Sequence, residues 1–138
     1  MNGNLFARAA HGILAVASLL LLLPACQKED DAPSVSPTIA FNSDSGYVFR
    51  DDTVGTEDTL HVEVTATSGD DRIHTFKVLA GFDGAAEITV DSFHVTTETF
   101  QFQKTIITRA VAGSEKWTFW IQEHDGDVYR RALTFLVE

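Results

Sequence analysis

The chain has 138 residues, with 10 Lys and Arg against 20 Asp and Glu and a net charge of −10. So acidic a balance excludes general binding to nucleic acid, whose phosphates need a basic face. A single Cys excludes an intrachain disulfide framework and a multi-cysteine zinc site, while 44% hydrophobic and 22% charged residues describe a folding chain and not a disordered one.

Residues 1–25 read as a secretory signal. Arg8 gives the start a positive charge, and no acid precedes Glu29. Residues 13–23 are apolar apart from Ser18 and end in a run of leucines. As a helix this stretch would span only about 16 Å, against roughly 30 Å of hydrocarbon. It is too short for a permanent span and suits the apolar core of a signal peptide. Extending it back through Leu5 would draw Arg8 and His11 into lipid, which disfavours a retained anchor.

The stretch Leu23-Pro24-Ala25-Cys26 resembles a bacterial lipobox, with Pro24 departing from its commonest form. The resemblance implies cleavage between Ala25 and Cys26, a diacylglycerol thioether on Cys26 and an acyl group such as palmitate on its amine. Cys26 then attaches the protein to a membrane and is no nucleophile. An ordinary signal peptide with an incidental cysteine is the alternative reading. Gln27-Lys28-Glu29-Asp30-Asp31 is similar to the export signal of Bacteroidota surface lipoproteins. That resemblance implies display on the outer face of the bacterial outer membrane. The same residues would also serve simply as a solvated tether. Ala32-Pro33-Ser34-Val35-Ser36-Pro37 continues as a polar, proline-bearing spacer, expected to be extended and unpacked. Residues 26–37 thus form a lipidated tether.

From 38 to 138 the apolar period is two. Leu60-His61-Val62-Glu63-Val64-Thr65-Ala66-Thr67 alternates cleanly, as do Glu87-Ile88-Thr89-Val90-Asp91 and Thr99-Phe100-Gln101-Phe102-Gln103, the last continuing through Ile106 and Ile107. Leu133, Phe135 and Val137 point one way in a final strand. Further strands are expected at 39–41, 47–49, 74–78 and 117–121. Ser68-Gly69-Asp70-Asp71, Asp83-Gly84, Gly113-Ser114 and Asp125-Gly126 fall between these runs and are expected to turn through positive φ. Residues 38–138 carry neither a helical stripe nor an internal repeat. The fold class is all-β: an immunoglobulin-like antiparallel β-sandwich of about seven or eight strands, held by packing alone.

The closing residues Gly113-Ser114-Glu115-Lys116-Trp117-Thr118-Phe119, Glu123-His124-Asp125-Gly126-Asp127 and Leu133-Thr134-Phe135-Leu136-Val137 are similar to the last strands of small Ig-like domains in Bacteroidota surface lipoproteins. That family shares no catalytic residues, so the resemblance implies none here.

The acids at alternate positions around Gly126, namely Glu123, Asp125 and Asp127, are weak candidates for calcium. Hard carboxylate oxygens suit Ca²⁺, but the sequence lacks the bidentate Glu of an EF-hand loop, and an Asp-Gly hairpin explains the same residues. His61, His74, His94 and His124 contain no pair at metal-ligand spacing. No Gly-x-Ser-x-Gly elbow or phosphate loop occurs, and no other cofactor is expected. With Trp117, Phe119 and Ile121 inward, Trp120 points outward, where it can stack on a sugar or anchor a protein. A covering loop or a bulge would instead bury it.

The function expected is therefore a lipid-anchored surface domain, not an enzyme, that binds a glycan or a protein. A structural accessory subunit of an outer-membrane complex is the alternative. A calcium module or a small hydrolase is disfavoured by the motifs.

Overall fold

The computed structural model describes residues 34–138. Cys26, Ala25 and the remainder of residues 1–33 lie outside the described residues, so the signal, lipidation and most of the tether are not seen. Among the described residues no helix is long and apolar enough to cross a membrane.

Alternating apolar positions become strands because each can give one face to a common core. There are eight: β1 (Thr38–Phe41), β2 (Asp52–Val54), β3 (Thr59–Thr67), β4 (Ile73–Phe82), β5 (Ile88–His94), β6 (Thr99–Ile107), β7 (Gly113–Glu123) and β8 (Val128–Val137). One sheet has the order β1-β3-β6 and the other β2-β8-β7-β4-β5. Neighbouring strands are antiparallel except for β2, which runs parallel to β8 with Asp52 opposite Phe135 and Val54 opposite Val137. The chain crosses from one sheet to the other between β1 and β2. An N-terminal strand split in this way across two sheets, with Greek-key order in both, is the immunoglobulin-like sandwich expected.

The core lies between the sheets. Val62, Val64 and Ala66 of β3 face Phe76, Val78 and Ala80 of β4, with Trp117, Phe119 and Ile121 of β7 and Leu133, Phe135 and Val137 of β8 beside them; all are buried. Burying each larger aliphatic or aromatic side chain contributes about 1.5–3 kcal/mol. Phe76 sits at the centre. Its ring centroid is 5.1 Å from Phe100 and 5.2 Å from Phe102 of the opposing sheet, and 6.5 Å from Phe119 of its own.

At one end of β7 a charged network closes the core. Glu115 is fully buried, and its Oε1 accepts hydrogen bonds from the Arg109 backbone N–H (2.7 Å) and Nε (3.3 Å), while its Oε2 accepts one from Trp117 Nε1 (3.3 Å). The guanidinium of Arg109 then grips Asp83 with two bonds of 2.7 and 3.0 Å. Asp83 is held down to about 2 by that guanidinium and by the N–H of Ser114.

Several local expectations give way to tertiary structure. Residues 47–49 form no strand. Val48 N–H bonds to the His61 carbonyl of β3, and the chain forms its next strand later, at Asp52–Val54 on the edge of the five-stranded sheet, where three residues are too few to show a pattern. Ile88 and Val90 are exposed, because β5 is the outer edge of the five-stranded sheet and a bulge opposite Val78 and Leu79 breaks its alternation. Asp83, Gly84 and Gly126 do turn through positive φ, but Gly69 does not. Gly69 is small for a different reason: a Cβ there would overlap the Val35 carbonyl oxygen. The end of the spacer packs accordingly, with Pro37 buried and the Val35 N–H bonded to Asp70 Oδ2 at 3.0 Å.

Two outcomes follow from this packing. Phe76→Ala should lower unfolding free energy by about 3–5 kcal/mol in a urea titration, the range for losing a buried phenylalanine without collapse of the site. The carboxyl of Asp83 is depressed below its unfolded value of 3.8, so its stabilisation is present above pH 3.8 and lost as pH falls towards 2. Asp83→Asn should therefore flatten the fall of Tm across that window, and the difference from wild type should shrink in 1 M salt because Asp83 is solvent-exposed.

Candidate functional site

Two surfaces gather chemistry. The first is the end of the sandwich where the β3–β4, β5–β6 and β7–β8 loops meet. Backbone bonds knit them: His124 N–H donates to the Arg72 carbonyl (3.1 Å), Val95 N–H to His74 (3.0 Å) and Ser68 N–H to Glu98 (2.8 Å). The β7–β8 turn is closed by Glu123 N–H to the Asp127 carbonyl (2.9 Å) and Gly126 N–H to the Glu123 carbonyl (3.2 Å), with φ of 103° at Gly126. A side chain is disfavoured at that angle, which is why the turn carries glycine.

Glu123, Asp125 and Asp127 are brought together there. Each places a carboxylate oxygen within 4.8 Å of those of the other two. Asp125 and Asp127 are exposed, and Asp125 Oδ1 accepts the Asp127 N–H at 3.1 Å. Glu123 differs from both. It continues the inward stripe of β7 after Trp117, Phe119 and Ile121, so it is only 2% exposed. Its Oε1 accepts the Gly69 N–H, but its buried Oε2 has no hydrogen-bond partner among the described residues. Burial pushes its carboxyl above the usual carboxylate range, with the neighbouring Asp125, Asp127 and Asp71 adding to the rise and the Gly69 N–H opposing it.

Beside this cluster the fold assembles a row of imidazoles that sequence spacing does not reveal. The His74 ring lies 4.9 Å from that of His94 and 4.8 Å from that of His124, both edge-on. The register between β4 and β7 shifts between Ile73 and Thr75, so His74 is the additional residue of a bulge. Its Nδ1 is engaged by Thr75 Oγ1 at 2.8 Å. His61, by contrast, is exposed on the three-stranded sheet and bonded to Thr105 at 3.3 Å.

The second surface is the outer face of the five-stranded sheet. Trp120 does point outward and is half-buried. Register places Lys77 of β4 on one side of it and Arg130 of β8 on the other. The Lys77 ammonium lies 4.6 Å from the ring centroid, a cation–π distance. Neither Lys77 nor Arg130 forms an ion pair among the described residues. Thr118, on the same face, is buried, with its hydroxyl donating to Glu87 at 2.6 Å.

A third feature is a shallow groove of about 280 Å³ beside the three-stranded sheet, lined by Tyr47, His61 and Gln103 among others. Its polar groups largely satisfy one another, Gln103 Nε2 donating to Glu63 (2.7 Å) and to the Tyr47 hydroxyl (3.0 Å).

No protein-family model matches the chain, and no curated protein matches it. Among solved structures, a chain from a study of T cell specificity and activation by the bacterial superantigen toxic shock syndrome toxin-1 is 13% identical, with a TM-score of 0.49 over 75% of this chain and 100% of that one. The CARDB domain of a Pyrococcus furiosus protein, solved with di-metal ions, is 16% identical with a TM-score of 0.40, covering 76% and 96%. Murine CRIg is 12% identical with a TM-score of 0.39, covering 74% and 98%. These likenesses bring no ligand or activity to this chain, and its description as an immunoglobulin-like β-sandwich stands on its own strand order.

Proposed function

We propose that the chain is a lipid-anchored, surface-displayed binding domain without enzymatic activity, and that its ligand is a glycan carrying acidic groups. The observation behind the ligand is the lateral row Lys77, Trp120 and Arg130 on an open sheet face. An aromatic ring gives a sugar a flat apolar surface, and flanking cations give its carboxylates or sulfates a counter-charge. Such a ligand draws Lys77 from the ring to its own acid, so a cation already poised over Trp120 assists the exchange. A neutral sugar must displace that cation without compensation, which favours the acidic class. The anchor in this reading comes from the lipobox-like residues ending at Ala25-Cys26, and display from the Lys-and-acid stretch that follows. A single acyl chain holds a protein only marginally, whereas the two or three chains of a processed lipoprotein hold it for good.

The test has two arms. Cys26→Ala should abolish lipid labelling, and protease should remove the wild-type domain from intact cells; removal only after the outer membrane is opened defeats the display reading. For the ligand, the detergent-solubilised full chain should bind uronate-bearing or sulfated polysaccharides in a tryptophan-fluorescence titration. Trp120→Ala should weaken that binding about tenfold, the effect of losing roughly 1.4 kcal/mol of stacking. Equal affinity of Trp120→Ala and wild type removes the sheet face from consideration, and fixed-stoichiometry recovery with membrane partners instead supports an accessory subunit.

A further inference from the structure

The two buried glutamates of β7 lie on the same inward stripe and meet different fates. Glu115 is satisfied on both oxygens by Arg109 and Trp117. Glu123, 2% exposed, receives one N–H from Gly69 and leaves Oε2 without a partner among the described residues. A buried carboxylate oxygen lacking a donor is costly, and the cost rises when further carboxylates stand beside it. No Lys or Arg forms an ion pair with Glu123, Asp125 or Asp127 among the described residues. The chain thus places a carboxylate at a core position and sets the carboxylates of Asp125 and Asp127 within 4.8 Å of it. A cation from solution supplies the counter-charge that no Lys or Arg among the described residues gives.

We infer that Glu123, Asp125 and Asp127 form a calcium site at the tip of the β7–β8 hairpin. The chemistry of the donors selects the ion: all three are hard carboxylate oxygens, which favour Ca²⁺ or Mg²⁺ over softer metals. Coordination geometry then separates those two. Ca²⁺ accepts an irregular shell of six to eight oxygens, whereas Mg²⁺ demands a near-ideal octahedron and gives up its waters reluctantly, so three carboxylates gathered within 4.8 Å on one hairpin suit Ca²⁺. Gly126 fixes the turn that carries the two aspartates, and the Gly69 N–H orients the Glu123 carboxylate, so the donors are held before the ion arrives. With three carboxylates and an exposed position, the site belongs to the weak class of extracellular calcium modules, with Kd of about 10⁻⁴–10⁻³ M. It is independent of the glycan reading, since it shares no residue with the Trp120 face.

The experiment is a thermal melt and a calorimetric titration of the detergent-solubilised full chain at pH 7.5, in chelator and then in up to 10 mM CaCl₂. Calcium should raise Tm by at least about 5 °C, the shift expected for a ligand some tens of times above its Kd on a domain of this size. The exposed pair Asp125→Asn with Asp127→Asn should fold as wild type and lose the increment. Glu123→Gln should melt higher than wild type in chelator, its buried charge gone, and should also lose the increment. An unchanged wild-type Tm in calcium overturns the site, as does a full calcium response in the double aspartate variant. A response equal for Mg²⁺, or seen only with Zn²⁺ and abolished by His124→Ala, overturns the calcium assignment.

Discussion

With no disulfide available to join its two sheets, the sandwich depends on the meeting of Phe76 with Phe100 and Phe102 across the core. That contact decides more than stability. It fixes which face of β4 is inward, and the β4–β7 register then fixes the parity of β7, with Phe76 opposite Ile121 and Lys77 opposite Trp120. Because side chains alternate along a strand, burying Phe119 and Ile121 forces Trp120 outward and carries Glu123 inward. Both surfaces that gather chemistry are therefore consequences of one packing decision. A slip of one residue would bury Trp120, expose Glu123 and dissolve both arrangements.

Charge is distributed unevenly over this frame. Acids dominate the loop end through Asp70, Asp71, Glu123, Asp125 and Asp127, whereas on the outer face of the five-stranded sheet Lys116 is paired with Glu87 and Lys77 and Arg130 flank Trp120 without an ion pair among the described residues. The net charge of −10 thus conceals a local cationic pair around Trp120. Within β7 itself the contrast is sharper. The chain invests Arg109 and a tryptophan N–H in neutralising Glu115, and that network is also what fastens Asp83 and the β4–β5 turn. Among the described residues Glu123 receives only the Gly69 N–H. A carboxylate on the inner stripe of a core strand is expensive, and the two ends of β7 deal with that expense in different ways.

Much of the fold is legible in the sequence because it is local. The alternation of residues 60–67 and 99–107, the inward set Leu133, Phe135 and Val137, and the outward Trp120 all follow from a period of two. Asp83-Gly84 and Asp125-Gly126 announce their turns through backbone sterics alone. What escapes is what depends on distant partners. Asp52–Val54 becomes a strand only because β8 offers it an edge, and no pattern in three residues foretells a parallel partner. Ile88 and Val90 alternate as core residues do, yet lie beyond the reach of the smaller sheet. Gly69 looks like a turn glycine and is instead a point of close approach to Val35. The three clustered histidines sit on β4, on β5 and in the β7–β8 turn, and a bulge at His74 helps to bring them together in a way that spacing cannot disclose. Glu123 could be found as an acid near a turn, but its burial could not, since that follows from continuing the β7 stripe past Ile121.

The bond between Val35 and Asp70, next to the start of β1, also has a mechanical side. Val35 is thereby held at the loop end, and β1 runs inward from there with Thr38 opposite Thr67 and Phe41 opposite Val64. A pull along the axis of β1 therefore loads all its ladder bonds in shear at the same moment, instead of peeling them one at a time. The Arg131 bond to the Ile39 carbonyl, 3.0 Å long, ties the same short strand to the other sheet and shares that load. Tension applied at the N-terminal end of β1 thus meets the sandwich where it resists as a unit and need not begin by fraying it.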